Sequence, residues 1–422
     1  MDSIIFHIDV NSAFLSWTAI DQLQKARKEN CLDSYVDLRT IPSIVGGDSA
    51  SRHGIVLAKS VPAKKYGIVT GEPIAQALKK CPFLTIAPSN HSSYSAHSKR
   101  FRKYLADFCP IIEAASIDEC YMDYTPISKD YASPEEAARI IKDGVRDTFG
   151  FTVNIGISDK KVLAKMASDF KKPDLVHTLY THEIREKMWP LPVSSLLMCG
   201  NSSQEALRKL GIRTIGELAC TDPKLLSAHL KSHGILLWQY ANGIDDSRVE
   251  PVPDQAKGIG NSTTMSKDAY TIDEMKPVIL SLCESVSARL RHQHFLAGTV
   301  TVEIKYNTFQ SVSHQTALQT PANTSNTLYH TSLSLLEELW NGTPVRLLGV
   351  RATKLVDESE PLQMNLFTYT ESQQTTPLSE KNKKLDKTID AIRQKYGNNA
   401  IMRGSLLSSP STKKAPPDDD AL

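Results

Sequence analysis

Three carboxylates stand where the chain could do chemistry. Asp9 closes the apolar run at residues 4–8, and Asp118 and Glu119 are adjacent within Ser116-Ile-Asp-Glu-Cys-Tyr-Met-Asp123. Two neighbouring acids set among apolar strand residues resist burial unless a cation or a basic partner offsets them. Magnesium suits that task, because it prefers oxygen ligands and needs only one or two carboxylates beside substrate phosphates. Two such ions can activate an attacking oxygen and stabilise a leaving one, so phosphoryl transfer is the chemistry these residues could do. Taken singly, each also fits an ordinary turn carboxylate.

The elements that must position them are legible in the pattern. A strand over residues 4–8 followed by a helix over 13–27 would raise Asp9 above a sheet at a strand-to-helix corner. Strands over 111–116 and 119–124, meeting around Ile117-Asp118, would set the acidic pair at a hairpin turn. Further strands are expected over 53–58 and 152–157, and helices over 72–80, 93–108 and 134–149. The last of these has Ser133 as N-cap and Pro134 in its first turn. A helix over 162–170 stops before Pro173, with Ser158 placed to cap its start. Together these predict an α+β unit interrupted by an insertion of residues 13–82.

Residues 180–247 read as short helices with glycine turns at Gly200 and Gly211. That order fits a helix-hairpin-helix unit presenting N–H groups to a phosphate, and equally a plain small bundle. Residues 248–257 are polar and proline-interrupted, as a linker would be. A ββα-type sandwich is expected over 262–355, with strands at 299–306 and 345–355 and helices at 282–292 and 331–340. The polar end, 405–422, is expected to be disordered.

Bulk properties narrow the field. A chain of 422 residues should divide into about three or four domains. Its 41% hydrophobic and 23% charged residues and net charge of +2 do not by themselves announce a nucleic-acid partner, so any basic surface must come from local clustering. There is no apolar stretch long enough for a membrane span, and the first ten residues do not read as a signal peptide. Seven scattered cysteines without a CxxC pair indicate neither disulfides nor zinc, which fits a reducing cytoplasm.

The motifs His7-Ile-Asp-Val-Asn-Ser-Ala-Phe14, Ser116-Ile-Asp-Glu-Cys-Tyr-Met-Asp123 and Gly156-Ile-Ser-Asp-Lys-Lys-Val-Leu-Ala-Lys-Met-Ala-Ser-Asp-Phe-Lys-Lys-Pro173 resemble, in order and separation, the signatures of the Y-family lesion-bypass DNA polymerases, the DinB/UmuC group. The resemblance runs from residue 1 to about 357 and more loosely into the tail. It implies an α+β multidomain fold shaped as a right hand: a palm at 1–12 and 83–179, fingers at 13–82, a helical thumb at 180–247, a little-finger α/β domain at 258–357, and a tail at 358–422. It also implies a low-fidelity, template-directed polymerase serving translesion synthesis and DNA repair, acting on primer–template DNA and deoxynucleoside triphosphates, as a cytoplasmic monomer. An adaptor that binds DNA and clamp without catalysis is the competing reading.

By the same resemblance Asp9, Asp118, Glu119 and the Val10 carbonyl hold two Mg2+ ions, with Asp118 and Glu119 as catalytic residues. Phe14 is the steric gate under the sugar, and Lys172 touches the triphosphate. Lys160, Lys161, Lys165 and Lys171 read as a solvated helix face that adds to attraction for the DNA backbone. In the fingers the family's Asn-Tyr-x-Ala-Arg is replaced by Ser60-Val61-Pro62-Ala63-Lys64. Lys64 keeps a charge without the bidentate fork of arginine, and Val61 has no donor. Ile55 and Leu57 are bulky for positions over the nascent base pair. Gly200 of the thumb and Arg346, Arg351 and Lys354 of the little finger would contact DNA, which requires basic residues on the sheet face and acidic ones on the helices. Gln363, Leu366 and Phe367 resemble the peptide that docks on the bacterial sliding clamp.

Overall fold

The computed structural model describes residues 3–47, 54–252, 255–361, 377–398 and 400–406. The chain divides into two compact units between residues 253 and 254.

The first unit is organised around β1 (Ile5–Val10), every residue of which is buried. Alternation sends Phe6, Ile8 and Val10 into the main core and turns Ile5, His7 and Asp9 to the other face. The chain then leaves through Ser12, in the left-handed region at φ 47°, into α1 (Ala13–Lys28). Next come β2 (Ser43–Gly46), β3 (Val56–Lys59), α2 (Val61–Lys64), α3 (Ile74–Lys80) and β4 (Thr85–Pro88). Their three strands form a separate sheet, ordered β3-β2-β4, over a small core that includes Ile44, Val56 and Ile74.

After α4 (His91–Phe108) come the hairpin β5 (Ile112–Ala114) and β6 (Glu119–Asp123), α5 (Pro134–Phe149), β7 (Val153–Ser158), α6 (Lys161–Ser168) and β8 (Val176–Thr178). The Ser133 hydroxyl accepts the Glu136 N–H at 3.2 Å, as an N-cap should. The large sheet has the order β5-β6-β1-β7-β8, with β1 antiparallel to both neighbours. A central strand covered on both faces suits a mostly apolar sequence, which residues 4–8 supply apart from His7.

Helix α6 lies unusually close to this sheet. A Cβ placed on Gly156 would collide with the Ala164 carbonyl and the Ser168 amide. Beyond it, α7 (Ile184–Lys187), α8 (Asn201–Lys209), α9 (Ile215–Ala219) and α10 (Pro223–Ala241) pack around Leu207, Ile215, Leu218 and Leu237. Gly211, at φ 81°, makes the left-handed turn between α8 and α9 that a side chain would oppose.

The second unit runs β9 (Gly258–Ala269), α11 (Ile272–His292), β10 (Phe295–Tyr306), β11 (Ser311–Ala322), α12 (Ser325–Leu339), β12 (Val345–Asp357) and α13 (Pro377–Tyr396). Its sheet, ordered β11-β10-β12-β9, is antiparallel throughout. Helices α11 and α12 bury Met275, Val286 and Leu335 against Val300 and Val350 of the strands.

Several expectations are corrected. Helix α1 lies against β2 and β3 of the small sheet, and its Leu15 and Trp17 also enter the main core. Residues 85–88, placed outside the 13–82 insertion and without a strand expected there, form β4, which pairs in parallel with β2. The Ser158 hydroxyl accepts the Lys160 N–H at 3.3 Å. The carboxylate at the start of α6 is Asp245, which accepts the Val162 N–H at 2.9 Å. The ββα-type sandwich is a four-stranded sheet under two helices, and the tail contains a helix, α13. Residues 363, 366 and 367, the expected clamp peptide, lie outside the described residues, as does most of 405–422.

Candidate active site

Asp9 and Glu119 face one another in register across β1 and β6. The turn before β6 is tied to the same place: the Val10 N–H donates to the Asp118 carbonyl at 3.0 Å, and the Ser116 hydroxyl donates to Asp118 Oδ1 at 2.7 Å. Strand pairing and turn chemistry thus bring the three predicted carboxylates to one sheet end. Asp9 is buried, with 6% exposure. Burial pushes the Glu119 carboxyl up from its ordinary range, while the Lys165 ammonium opposes that rise.

Two lysines supply the compensating charge. Lys172 Nζ lies 2.7 Å from Asp9 and 2.9 Å from Asp169. Lys165 Nζ lies 2.5 Å from Glu119, 3.3 Å from Asp169 and 3.5 Å from Asp9. Burial works against the charge on Lys165, yet Glu119, Asp169 and Asp9 hold its affinity for the proton above the ordinary value. The expected solvated face of α6 is therefore corrected at two positions. Lys165 belongs to the site, and Lys161 pairs with Glu113 at 2.6 Å while covering the Tyr121 ring at 4.7 Å. Residues 161 and 165 are one helical turn apart and look down on the strands, a direction set by the close crossing at Gly156.

Below the acids lies His7, fully buried on the same face of β1. Its Nδ1 pairs with the Ser168 hydroxyl at 2.8 Å, and Nε2, 3.9 Å from Glu119, has no hydrogen-bond partner among the described residues. Burial, and then Lys165 and Lys172, hold this imidazole well below its usual pKa, so it sits neutral beneath the carboxylates.

Two asparagines fix the segment that carries Lys172. Asn154, fully buried, donates to the Ser168 and Lys171 carbonyls at 3.1 and 2.7 Å and accepts the Leu175 N–H at 3.3 Å. Asn11 donates to Asn154 at 3.2 Å and accepts the Asp174 N–H at 2.9 Å. Neither was singled out in the sequence, because an isolated asparagine carries no pattern until the strands are paired.

The donor set fits a hard divalent cation in kind: carboxylate oxygens in a buried setting whose negative charge the ammonium groups now offset. As they stand, no three His, Cys, Asp or Glu side chains among the described residues converge as metal ligands.

Phe14, half-buried on α1, stacks on Tyr94 at 4.5 Å and 10°, and the Tyr94 hydroxyl pairs with Thr18 at 2.8 Å. Lys64 is exposed at the end of α2, whose start is capped by Ser60 accepting the Ala63 N–H at 3.0 Å. Val61 is 56% exposed. Gly200 is the residue before α8, with open space where its Cβ would be.

In the second unit Arg351 is exposed opposite Thr301, on the sheet face away from the helices. Arg346 stacks over Phe309 at 5.0 Å, and Lys354 is exposed at a left-handed position, φ 50°. The expectation that acidic residues would keep to the helices is corrected by Glu303, which is exposed on the same sheet face two residues along from Thr301.

Residues 8–169 match the impB/mucB/samB family, and residues 256–366 match the C-terminal domain of that family. A DNA polymerase IV of Clostridium acetobutylicum is 44% identical over 96% of this chain and 99% of its own length. One from Alkaliphilus oremlandii is 34% identical over 96% of this chain and 100% of its own. Among solved structures, a Y-family DNA polymerase chimera shares the fold with a TM-score of 0.71 at 20% identity, covering 84% of this chain and 99% of that one. No helix among the described residues is long and apolar enough to cross a membrane. The three acids and their lysines thus sit on a shared scaffold, and the chain belongs to the impB/mucB/samB family of Y-family DNA polymerases.

Proposed function

We propose that the chain extends a DNA primer along a template by two-metal phosphoryl transfer, with low fidelity, in translesion synthesis and repair. The observation that carries this reading is the register of Asp9 against Glu119, with Asp118 tied to Val10 beside them and two ammonium groups over the acids. Asp9, Asp118, Glu119 and the Val10 carbonyl would hold two Mg2+ ions, which supply charge neutralisation at the reacting phosphate and a more nucleophilic primer oxygen.

The chain's own residues do the rest. Lys172 faces the triphosphate as a compact point charge, and Lys165 moves its charge between Glu119 and incoming phosphate oxygens. Asn11 and Asn154 hold the Lys172 segment still, so that less ordering is left for substrate binding. Phe14, its ring fixed by Tyr94, excludes a 2′-hydroxyl by shape. Lys64 adds charge at the outer end of the triphosphate, where Val61 contributes no hydrogen bond. The working partners are primer–template DNA and the bacterial sliding clamp, in the cytoplasm.

Primer extension by the wild-type chain, with and without Mg2+, on intact and lesion-bearing templates tests this reading. Metal-dependent incorporation is expected on both. Failure to incorporate on any template would leave the DNA- and clamp-binding adaptor in its place.

A further inference from the structure

Helix α13 sorts its charges by direction. Asp390 meets Arg291 at 2.6 Å, and Asp386 lies 3.3 Å from Arg291 and 3.4 Å from Arg403. Arg393 meets Glu284 of α11 at 2.9 Å. Asp386, with 3% exposure, also accepts the Ser325 N–H at 2.8 Å, so it stands at the N-terminus of α12, where a negative charge is favoured. Every described carboxylate of α13 is thereby spent on docking the helix to its own unit.

The lysines keep off that docking face. At 100° per residue Lys383, Lys384, Lys387 and Lys395 fall within an arc of about 120°, which adjoins the arc of about 60° holding Asp386, Asp390 and Arg393 without overlapping it, and Lys381 lies about 40° past its far edge. All four are exposed. None forms an ion pair among the described residues, and Lys395 rests on the Tyr396 ring at 5.2 Å. Glu380 is the single acid that sequence position sets on that arc. By contrast, the outer face of the sheet in the same unit mixes Arg351 and Lys305 with Glu303 and neutral residues. The concentrated positive charge of this unit is therefore on α13.

We propose that α13 is a docked basic face that binds the phosphate backbone of duplex DNA. This rests on the DNA-copying function above and adds a contact surface to it. Four ammonium groups along a rigid helix complement a duplex carrying one charge per ~1.7 Å, and each phosphate contact adds ~0.9 to the salt slope. No base edge is read, so the surface adds affinity without sequence preference.

Anisotropy titrations of a fluorescent primer–template with the full chain across a range of NaCl test this. The variant Lys383→Gln/Lys384→Gln/Lys387→Gln/Lys395→Gln removes charge and leaves the docking acids in place. We expect the log–log salt slope to shrink by about two to four units and affinity to fall about tenfold or more at moderate salt. The four-arginine counterpart should keep both, and thermal unfolding and single-turnover incorporation at saturating DNA should be unchanged. Unchanged slope and affinity in the glutamine variant overturn the proposal. So does an unchanged slope accompanied by lost binding to an acidic protein such as a purified sliding clamp. A wild-type chain that binds no DNA overturns the DNA-copying function itself, and this surface with it.

Discussion

On the large sheet, Asp9, Glu119, Lys165 and Lys172 form a chain of contacts no longer than 3.5 Å beneath a helix that one glycine lets in. On the sheet of the second unit, Arg351 and Glu303 share an open face with Thr301, and Arg351 forms no ion pair among the described residues. The two sheets have much the same strand materials and differ in what covers them. Buried charges in contact depend on backbone placement and respond together to one change. Exposed charges contribute separately, weakly and in proportion to salt. The first arrangement suits chemistry at a fixed point, the second suits tracking along a polymer.

Gly156→Ala should break that contrast most severely. A methyl group directed at the Ala164 carbonyl must lift α6, costing about 3 kcal/mol of stability and carrying Lys165 away from Glu119. Chemical denaturation and primer extension should both show large losses; wild-type-like values in both would mean that the close crossing does not position the site. Lys165→Met comes next. It keeps the chain length and leaves Glu119 without its ammonium partner, so we expect about 2 kcal/mol lost and extension reduced about tenfold to a hundredfold. A variant with full activity would return Lys165 to the role of a solvated helix residue.

Asn154→Ala tests positioning rather than charge. It leaves the Ser168 and Lys171 carbonyls without their donor, which costs about 1–2 kcal/mol. The nucleotide KM should rise more than kcat falls, because Lys172 loses its fixed seat. A drop in kcat alone would argue against that role.

The smallest effect is expected away from both regions, at Glu72, whose carboxyl Lys80 meets at 2.5 Å. Burial pushes this carboxyl up, but the Lys80 and Val69 hydrogen bonds outweigh it and leave the folded value below the ordinary 4.5. A lowered acid stabilises the fold above its unfolded pKa and loses that contribution as pH falls through the folded value. Lys80→Met should therefore be less stable at neutral pH, and the gap to wild type should close as pH drops below 4.5. A gap independent of pH would assign the loss to something other than this pair.

Much of the large sheet could be read from the sequence because local signals agree there. The apolar run at residues 4–8 is β1, and Ser133 and Pro134 start α5 where they should. Other elements had no such signal. Strand β11 is an exposed edge whose polar residues do not alternate, so its pairing with β10 is a tertiary choice. Pro277 sits inside α11 and hid its first turns, although Thr271 and Glu274 form a capping box that marks the true start. Helix α13 has few apolar residues and is held by Arg291 and Glu284, partners far away in sequence, and by Arg403 just beyond its end. Of the site, the acids were legible as a motif. Lys165 was not, because its direction depends on how Gly156 admits α6.

Whether the three acids hold the reacting metals is tested by single-turnover nucleotide incorporation by Asp118→Asn beside wild type, at saturating Mg2+ and nucleotide, with DNA affinity measured on the same primer–template. Asparagine keeps the shape and removes the charge. Losing the charge should lower the rate on the order of a thousandfold, about 4 kcal/mol, with DNA affinity essentially retained. A variant that incorporates nucleotide at the wild-type rate would contradict the metal-holding role of the acids.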